Sequence, residues 1–277
     1  MDNNIIMFDR FILASNIDRV KARFNMAHFA DAVTYEPNYN IAAGDEVYVI
    51  TDAVKKEIHK FRFGLNVQKR NNIQTLHFIR AEGNRNLQDD PHYSGSRAIF
   101  LQPEFKQLIR QQRCMILADA FIVGIESNPH LVYLRDKQRP FAFAGLYSMQ
   151  NDDTAGESVY ACAIITVPAN SLLQKLGYKR MPVILPQQEE GRWLRSNSEL
   201  SQTLNMLNSY PAAQMNAFPI SDKIKDKTLN DISLVHPAGE RVLYEPDYKL
   251  SRKRKREVRE SLGITMAERA GIEVKYE

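Results

Sequence analysis

Cysteine is almost absent from this sequence. Only Cys114 and Cys162 occur among 277 residues, each within an apolar stretch. Two isolated thiols exclude a disulfide framework and favour a reducing compartment, so we expect a cytoplasmic protein. The six histidines are scattered, and none lies at ligand spacing from a cysteine. We therefore expect neither a metal nor a cofactor.

Long apolar runs are also missing. No stretch approaches the ~18 continuous apolar residues that a membrane helix requires, so we expect no membrane contact. The first residues, MDNNIIMFDRF, carry an acid at position 2 and no basic flank, which is unlike a secretory signal. Hydrophobic residues make up 44% and charged residues 25% of the chain, which indicates a globular protein with a sizeable core.

The positive charge is small in total and uneven in distribution. The formal net charge is +4, yet basic residues crowd together near the C-terminus, at Lys249, Arg252, Lys253, Arg254, Lys255 and Arg256. Such a cluster is either the solvated face of a helix or a contact for nucleic acid phosphates. We divide the chain into one domain over residues 1–240 and a basic helical tail over residues 241–277.

Strand-like segments outnumber helical ones and follow one another directly. EVYVIT, HKFRFGLNV, QTLHFIRA, CMILADAFIVGI, HLVYLRD, PFAFAGLYSM and YACAIITV are rich in β-branched and aromatic residues. Ser15 is a candidate N-cap for a first helix, and the polar insert Gly83–Gly95 is predicted to be a mobile loop. Because regular β-α alternation is absent, we predict an α+β fold with a mainly antiparallel, barrel-like sheet and peripheral helices.

Generic catalytic motifs are missing, but several blocks together resemble one family. They are DRF, YEPNYNIAAGDEVYVI, FGL, PEFKQLIRQQRCMILADAF, FAFAGLY, AIITVPAN, and KRMPVIL followed by WL. In order and spacing, over roughly residues 8–240, the chain resembles the SRAP family, the SOS-response-associated peptidases. The resemblance implies an SRAP-like fold. It also implies a family chemistry in which an N-terminal cysteine bonds to the aldehyde of an abasic site in single-stranded DNA, assisted by a glutamate and a histidine.

The resemblance places three apolar or aromatic residues where those catalytic groups stand. The cysteine of the family's C-G-R-F corresponds to Phe8, the glutamate of P-A-D-G-F-x-E to Val123, and the histidine of H-x-R-M-P to Tyr178. Neither valine nor phenylalanine can transfer a proton or form a thiolate. We therefore predict that no catalytic residue is retained and expect a protein that is not an enzyme.

The arginines of the family motifs are kept, which leaves DNA binding open. Arg10 and Arg180 match by position, and the N-A-R-x-E motif falls either on Arg80 or, counted back from Pro103, on Arg97. As DNA-binding candidates we take these four with Arg252, Lys253, Arg254, Lys255 and Arg256. Arg10 and Arg180 have an alternative structural interpretation, in which they pair with Asp9 or Asp119.

Three functional hypotheses follow. In the first, the chain is a catalytically degenerate SRAP-like protein that binds single-stranded or damaged DNA in a DNA-damage response. In the second, it is a non-enzymatic module that binds a protein or peptide, because the aromatic residues expected after FGL are replaced by Asn66, Val67, Gln68 and Lys69. In the third, it is an active SRAP peptidase that crosslinks to abasic DNA.

Overall fold

The computed structural model describes residues 8, 10–26, 28–30, 33–52, 57–69, 72–135, 139–151 and 158–242. Met1–Arg241 form one compact unit, and the second unit, Val242–Glu277, lies outside the described residues except for Val242. The predicted basic helical tail therefore falls where the structure is not described, and the domain boundary near residue 240 stays a prediction.

The described part of the chain is dominated by strands, as predicted. They are β1 (Arg10–Leu13), β2 (His28–Phe29), β3 (Asn38–Ile41), β4 (Glu46–Thr51), β5 (Glu57–Phe63), β6 (Leu65–Lys69), β7 (Asn72–Leu76), β8 (Phe78–Arg80), β9 (Arg113–Ala118), β10 (Ala120–Val123), β11 (His130–Leu134), β12 (Phe141–Asn151), β13 (Ser158–Pro168), β14 (Arg180–Pro182), β15 (Ile184–Leu185) and β16 (Met215–Pro219).

The helices are short and peripheral. They are α1 (Ile17–Phe24), α2 (Pro103–Lys106), α3 (Leu108–Gln111), α4 (Ser171–Lys175), α5 (Gln187–Leu194) and α6 (Leu200–Asn205), with 3-10 turns at Gly83–Asn86, Ile99–Leu101, Ala212–Gln214, Asp222–Lys225 and Ile232–Val235. In α1 the N-cap is Asn16, whose side chain accepts from the Arg19 amide at 2.8 Å. The predicted Ser15 cap is wrong, because the Ser15 hydroxyl donates to Asp119 instead.

A closed five-stranded barrel forms the centre of the fold. The antiparallel pairings run β13–β12–β9–β4–β5, and a parallel pairing of β13 with β5 closes the ring. Strand β8 adds a second parallel partner to β13. This is the predicted α+β architecture, a mainly antiparallel barrel-like sheet with peripheral helices.

A second sheet packs beside the barrel and creates two cores. Its strand order is β16–β11–β10–β1–β3. On one face Phe11 meets Phe63 and Phe143 of the barrel, with ring centroids 5.6 and 5.7 Å apart. The opposite face carries a separate apolar cluster that includes Ile12 and Ile122 and is covered by the segment 220–235. Because successive residues of a strand alternate in direction, β1 and β10 contribute to both cores.

Strand β3 forms one edge of the second sheet, and a side chain covers that edge. The Asn230 carboxamide accepts from the Tyr39 amide at 2.8 Å and donates to the Pro37 carbonyl at 3.1 Å. These are the two kinds of backbone bond that a neighbouring strand would supply. The segment 220–235 therefore both closes the outer core and satisfies the sheet edge.

Candidate functional site

Three of the predicted DNA-binding arginines lie around two buried carboxylates. Arg180, on β14, has no exposed side-chain surface and pairs with Glu82 at 2.8 Å and with Asp89 at 3.0 Å. Arg80, on β8, binds the same Asp89 through Nε and Nη2 at 3.0 and 2.8 Å. We call these residues, together with Arg97, the ionic cluster.

Arg97 completes the cluster at its outer side. Its Nη1 lies 4.0 Å from Glu82 Oε1, and its Nε donates to the Leu207 carbonyl at 2.6 Å. Glu82 Oε1 is buried without a hydrogen-bond partner among the described residues. The cluster holds three arginines against two carboxylates, which leaves an excess of positive charge next to the Arg80 and Arg97 side chains, 23% and 19% exposed.

Electrostatics fix the charge state of this cluster. Burial alone would raise the pKa of Asp89, but its hydrogen bond to Arg80 and the charge of Arg180 together hold that pKa below its ordinary value. The pKa of Arg80 is raised, mainly through the hydrogen bond to Asp89. Asp89 therefore remains a carboxylate and Arg80 a guanidinium throughout the physiological range.

The polar insert Gly83–Gly95 is part of this cluster. It begins with the Gly83–Asn86 turn, and its Asp89 is 4% exposed. The Asn86 carboxamide also bridges to Asp90, accepting from the amide at 2.8 Å and donating to the carbonyl at 3.1 Å. The insert was predicted to be a loop, and the structure anchors that loop to β8 and β14 through Asp89.

Phe8 lies in an aromatic core. It is 1% exposed, and its ring centroid is 4.6 Å from Phe78, 5.5 Å from Phe121 and 5.8 Å from Phe143. Phe78 begins the segment Phe78–Glu82, one of the two predicted registers of the family's N-A-R-x-E motif. Phe8 contacts Phe78 at the start of this register, and Glu82 at its end pairs with Arg180, while the register itself stays a prediction.

Val123 is the last residue of β10, and Tyr178, which precedes β14, reaches the end of that strand with its hydroxyl. Val123 is fully buried, and strand alternation places it on the face that also presents Phe121 to Phe8. Gly124 follows with φ +79°, and a Cβ there would lie 2.4 Å from the Tyr178 hydroxyl. Phe8, Val123 and Tyr178 therefore surround one stretch of β10, although they are more than 50 residues apart in the chain.

Arg10 lies apart from the ionic cluster. It is 7% exposed, and its Nε donates to Asn40 Oδ1 at 3.1 Å. The Asn40 amide in turn donates to the carbonyls of Asp226 and Leu229 at 2.8 and 3.2 Å, so the pair holds the segment that covers the outer core.

Asp119 binds the segment that follows β1 and does not pair with Arg180, which was one of the structural pairings considered. Its carboxylate accepts from the amides of Ala14 and Ser15, both at 2.7 Å, and from the Ser15 hydroxyl at 2.6 Å. Arg180 pairs with Glu82 and Asp89 instead. Asp9, and the predicted DNA contacts Arg252, Lys253, Arg254, Lys255 and Arg256, lie outside the described residues.

Neither cysteine is placed to act as a nucleophile. Cys114 and Cys162 are both unpaired and fully buried. Burial raises the pKa of both thiols, and for Cys114 the neighbouring Cys162 raises it further. Within the described ranges no group of histidine, cysteine, aspartate and glutamate side chains could hold a metal ion.

The chain matches the family model for the SOS response associated peptidase (SRAP) over residues 7–227. It belongs to the SRAP family. Among curated SRAP relatives, it is 28% identical over 235 residues to the abasic site processing protein YoqW of Bacillus subtilis, covering 83% of this chain and 99% of that protein. The abasic site processing protein YobE of the same organism is 28% identical over 229 residues, covering 80% and 98%.

Solved structures share this SRAP fold. A crystal structure of a Bacteroides thetaiotaomicron protein aligns with a TM-score of 0.65 at 23% identity, covering 83% of this chain and 99% of that one. A Bordetella bronchiseptica protein aligns with a TM-score of 0.58 at 19% identity, covering 77% and 99%. No helix of the described residues is long and apolar enough to cross a membrane.

One of the two predicted registers of N-A-R-x-E already put Phe78 at the asparagine position, and the structure places its ring in the aromatic core. Another residue of this site was missed by sequence reasoning. Asp89 links Arg80 to Arg180 from within the polar insert, where a single acid among other polar residues gives no signal. The partners of Asp89 come from strands 9 and 91 residues away, so only the fold reveals the cluster.

Proposed function

We propose that this SRAP-family chain binds single-stranded or damaged DNA without forming the covalent abasic-site adduct. The observation that carries the proposal is the position of Phe8, whose ring packs against Phe78, Phe121 and Phe143. A thiol nucleophile needs a reactive sulfur and space for the aldehyde beside it. Here an apolar ring occupies the position, and three further rings fill its surroundings.

Two further positions near Phe8 offer no ionisable group. Val123 has no ionisable atom, and Phe78 replaces the carboxamide that the family resemblance places there. The two thiols are fully buried, and burial raises the pKa of each, which depletes the thiolate that would react. The interpretation as a catalytically degenerate enzyme thus rests on three positions, Phe8, Val123 and Phe78, that differ from the residues of the family motifs.

DNA contact is assigned to the exposed side of the ionic cluster. Arg80 and Arg97 are partly exposed there beside an excess positive charge, whereas Arg180 is enclosed by Glu82 and Asp89. The buried pairs of Arg10 and Arg180 favour a structural role for both. We place Arg80 and Arg97 against phosphates, with Arg252–Arg256 as a second basic element.

The context of this binding is a response to DNA damage in the cytoplasm. Relatives that align over nearly their full length are named abasic site processing proteins. Their substrate class supports damaged or single-stranded DNA as the ligand of this chain. The two unpaired thiols support a reducing compartment.

The first test is incubation of the full chain with a single-stranded oligonucleotide that carries an abasic site, followed by a denaturing gel. YoqW is the positive control. We expect an adduct with YoqW and none with this chain. An adduct with this chain would establish the alternative, an active SRAP enzyme, and overturn the proposal.

The second test measures affinity for intact and abasic single-stranded DNA at several salt concentrations. We expect log K to fall linearly with log salt, by ~0.7 per phosphate neutralised. The double variant Arg80→Gln/Arg97→Gln should flatten that slope by ~1.4, whereas Arg192→Gln, which removes an exposed arginine paired with Glu189, should leave it unchanged. Absence of salt-dependent binding by the wild type would refute DNA binding.

A protein- or peptide-binding module is the second candidate. Met149 and Tyr160 face each other across β12 and β13 and are 60% and 47% exposed, which forms an apolar patch on the barrel. A chain that binds no DNA would support this hypothesis. A pull-down that recovers only nucleic acid would contradict it. Met149→Glu, which charges the patch, should weaken capture of a protein partner but leave DNA affinity unchanged.

A further inference from the structure

A cavity of about 520 Å³ opens on the face of the second sheet that points away from Phe8. Strands β1, β10 and β11 form its floor through Ile12, Ala120 and Leu131, and the turn Ile232–Val235 forms one side. We propose that this cavity binds a small molecule that combines a planar ring with an anionic group. The proposal goes beyond DNA binding, because the cavity and the aromatic core around Phe8 lie on opposite faces of one sheet.

Aromatic side chains define the ring-binding part. The rings of Tyr133, on β11, and Phe218, on β16, are 5.6 Å apart at an angle of 57°, and Tyr39, on β3, lines the same cavity. All three are only partly buried, although they pack on the outer core. Apolar walls with aromatic faces that stay accessible suit a flat ring, which would cover them on binding.

Two arginines, Arg19 and Arg139, line the other part of the cavity. Arg19 Nε donates to the Arg139 carbonyl at 3.1 Å, which places the two residues side by side. Among the described residues of this lining Asp119 is the one acid, and three hydrogen bonds from Ala14 and Ser15 already occupy its carboxylate. Guanidinium groups bind carboxylates and phosphates through paired hydrogen bonds, so the two arginines suit an anionic head group at this end.

The size of the cavity indicates a small-molecule ligand. The volume of about 520 Å³ lies within the roughly 300–1,000 Å³ typical of small-molecule sites. A ring with an anionic group is the chemistry shared by nucleoside monophosphates and aromatic carboxylic acids. The experiment therefore uses one probe of each kind and, for each, a neutral counterpart.

Isothermal titration of the full chain tests this inference. The probes are thymidine 5′-monophosphate with thymidine as its neutral counterpart, and indole-3-acetate with indole-3-ethanol. We expect at least one anion to bind with a Kd of about 1 mM or tighter, and its neutral counterpart to bind at least tenfold more weakly. Which anion binds identifies the source of the ligand. No binding of either anion at about 10 mM, or equal binding of the neutral counterpart, would overturn the proposal.

Variants locate the site. Val235→Trp places an indole in the opening from a half-buried position and should abolish binding, and Arg19→Gln/Arg139→Gln should remove the preference for the anion. Arg192→Gln is the matched control and should change nothing, because Arg192 lies outside this lining. Circular dichroism and Tm establish that each variant is folded. Binding that survives both Val235→Trp and the double variant would place the ligand elsewhere and refute the site.

DNA affinity distinguishes failure of this inference from failure of the proposed function. Val235→Trp should leave salt-dependent DNA binding intact, since Arg80 and Arg97 do not line the cavity. If the small anions fail to bind while DNA binds, the inference about the cavity falls and the proposed function stands. If the small anions bind while DNA does not, the proposed function is refuted and the cavity remains a ligand site.

Discussion

At the scale of single residues, Phe8 is a core residue of the aromatic cluster. A side chain at this point faces Phe78, Phe121 and Phe143, so whatever stands there is enclosed by rings. The pairs with Phe78 and Phe121 are edge-on, an arrangement that adds to the free energy gained by burying the ring surfaces. The Phe8 ring therefore stabilises the fold.

Replacing Phe8 with alanine should lower the free energy of unfolding by about 3–5 kcal/mol, because a fully buried ring is lost and the cavity cannot close. Urea denaturation followed by circular dichroism measures the change. Phe218→Ala serves as the control and should cost less, since Phe218 is only partly buried. A loss below about 1 kcal/mol would show that Phe8 is not a core residue.

At the scale of elements, the ionic cluster ties the polar insert to β8 and β14, two strands that both pair with β13. Asp89 connects the polar insert to β8 through Arg80 and to β14 through Arg180. A buried charge that loses its partner is costly, so the three segments depend on one another. The Arg10–Asn40 pair does the same for β1, β3 and the segment 220–235.

Asp89→Asn should lower the free energy of unfolding by about 3 kcal/mol at neutral pH, because Arg80 and Arg180 lose a charged partner. The pKa of Asp89 is lower in the folded protein than in the unfolded chain. Its contribution is therefore complete above the unfolded pKa of about 3.9 and is lost as the pH falls through the lower folded value.

The difference between wild type and Asp89→Asn should consequently shrink below about pH 4. Urea titrations at a series of pH values measure it. Asp90→Asn, which changes the exposed neighbouring acid, provides the matched control and should show a small effect at every pH. If the difference in free energy of unfolding between wild type and Asp89→Asn stays unchanged down to about pH 2, this account of the cluster is contradicted.

The strands were predictable from the sequence because their β-branched and aromatic runs are local. The closure of the barrel was not, since it depends on the parallel pairing of β13 with β5, which are distant in the chain. The positions of Phe8, Val123 and Tyr178 were identified through family resemblance alone. Their arrangement around β10, and the burial of Arg180 by Glu82 and Asp89, required the tertiary structure.

At the scale of the whole molecule, the barrel isolates its two thiols from solvent. Cys114 on β9 and Cys162 on β13 are both completely buried. Reagents reach such groups only when the surrounding sheet opens. The thiols therefore report on global stability rather than on a reactive site.

A thiol-specific reagent at about pH 8 should label neither cysteine in the native protein and both after denaturation in urea. The reason is twofold, because burial excludes the reagent and raises the pKa of both thiols. Absorbance of the chromophore that the reagent releases measures the reaction. The control variant Cys114→Ala should leave a single reactive thiol in urea. Rapid labelling of the native protein would contradict the closed barrel.

The amide of Asn230 has a consequence for solubility. By bonding to Tyr39 and Pro37 it acts as a one-residue substitute for a missing strand along β3. An uncovered strand edge is a template on which other chains can pair and aggregate. Cleavage of the chain after Pro219 would release the segment 220–235. Its loss would expose both the edge of β3 and the apolar surface around Ile12. Proteolytic loss of this one segment would convert a self-contained protein into one prone to self-association.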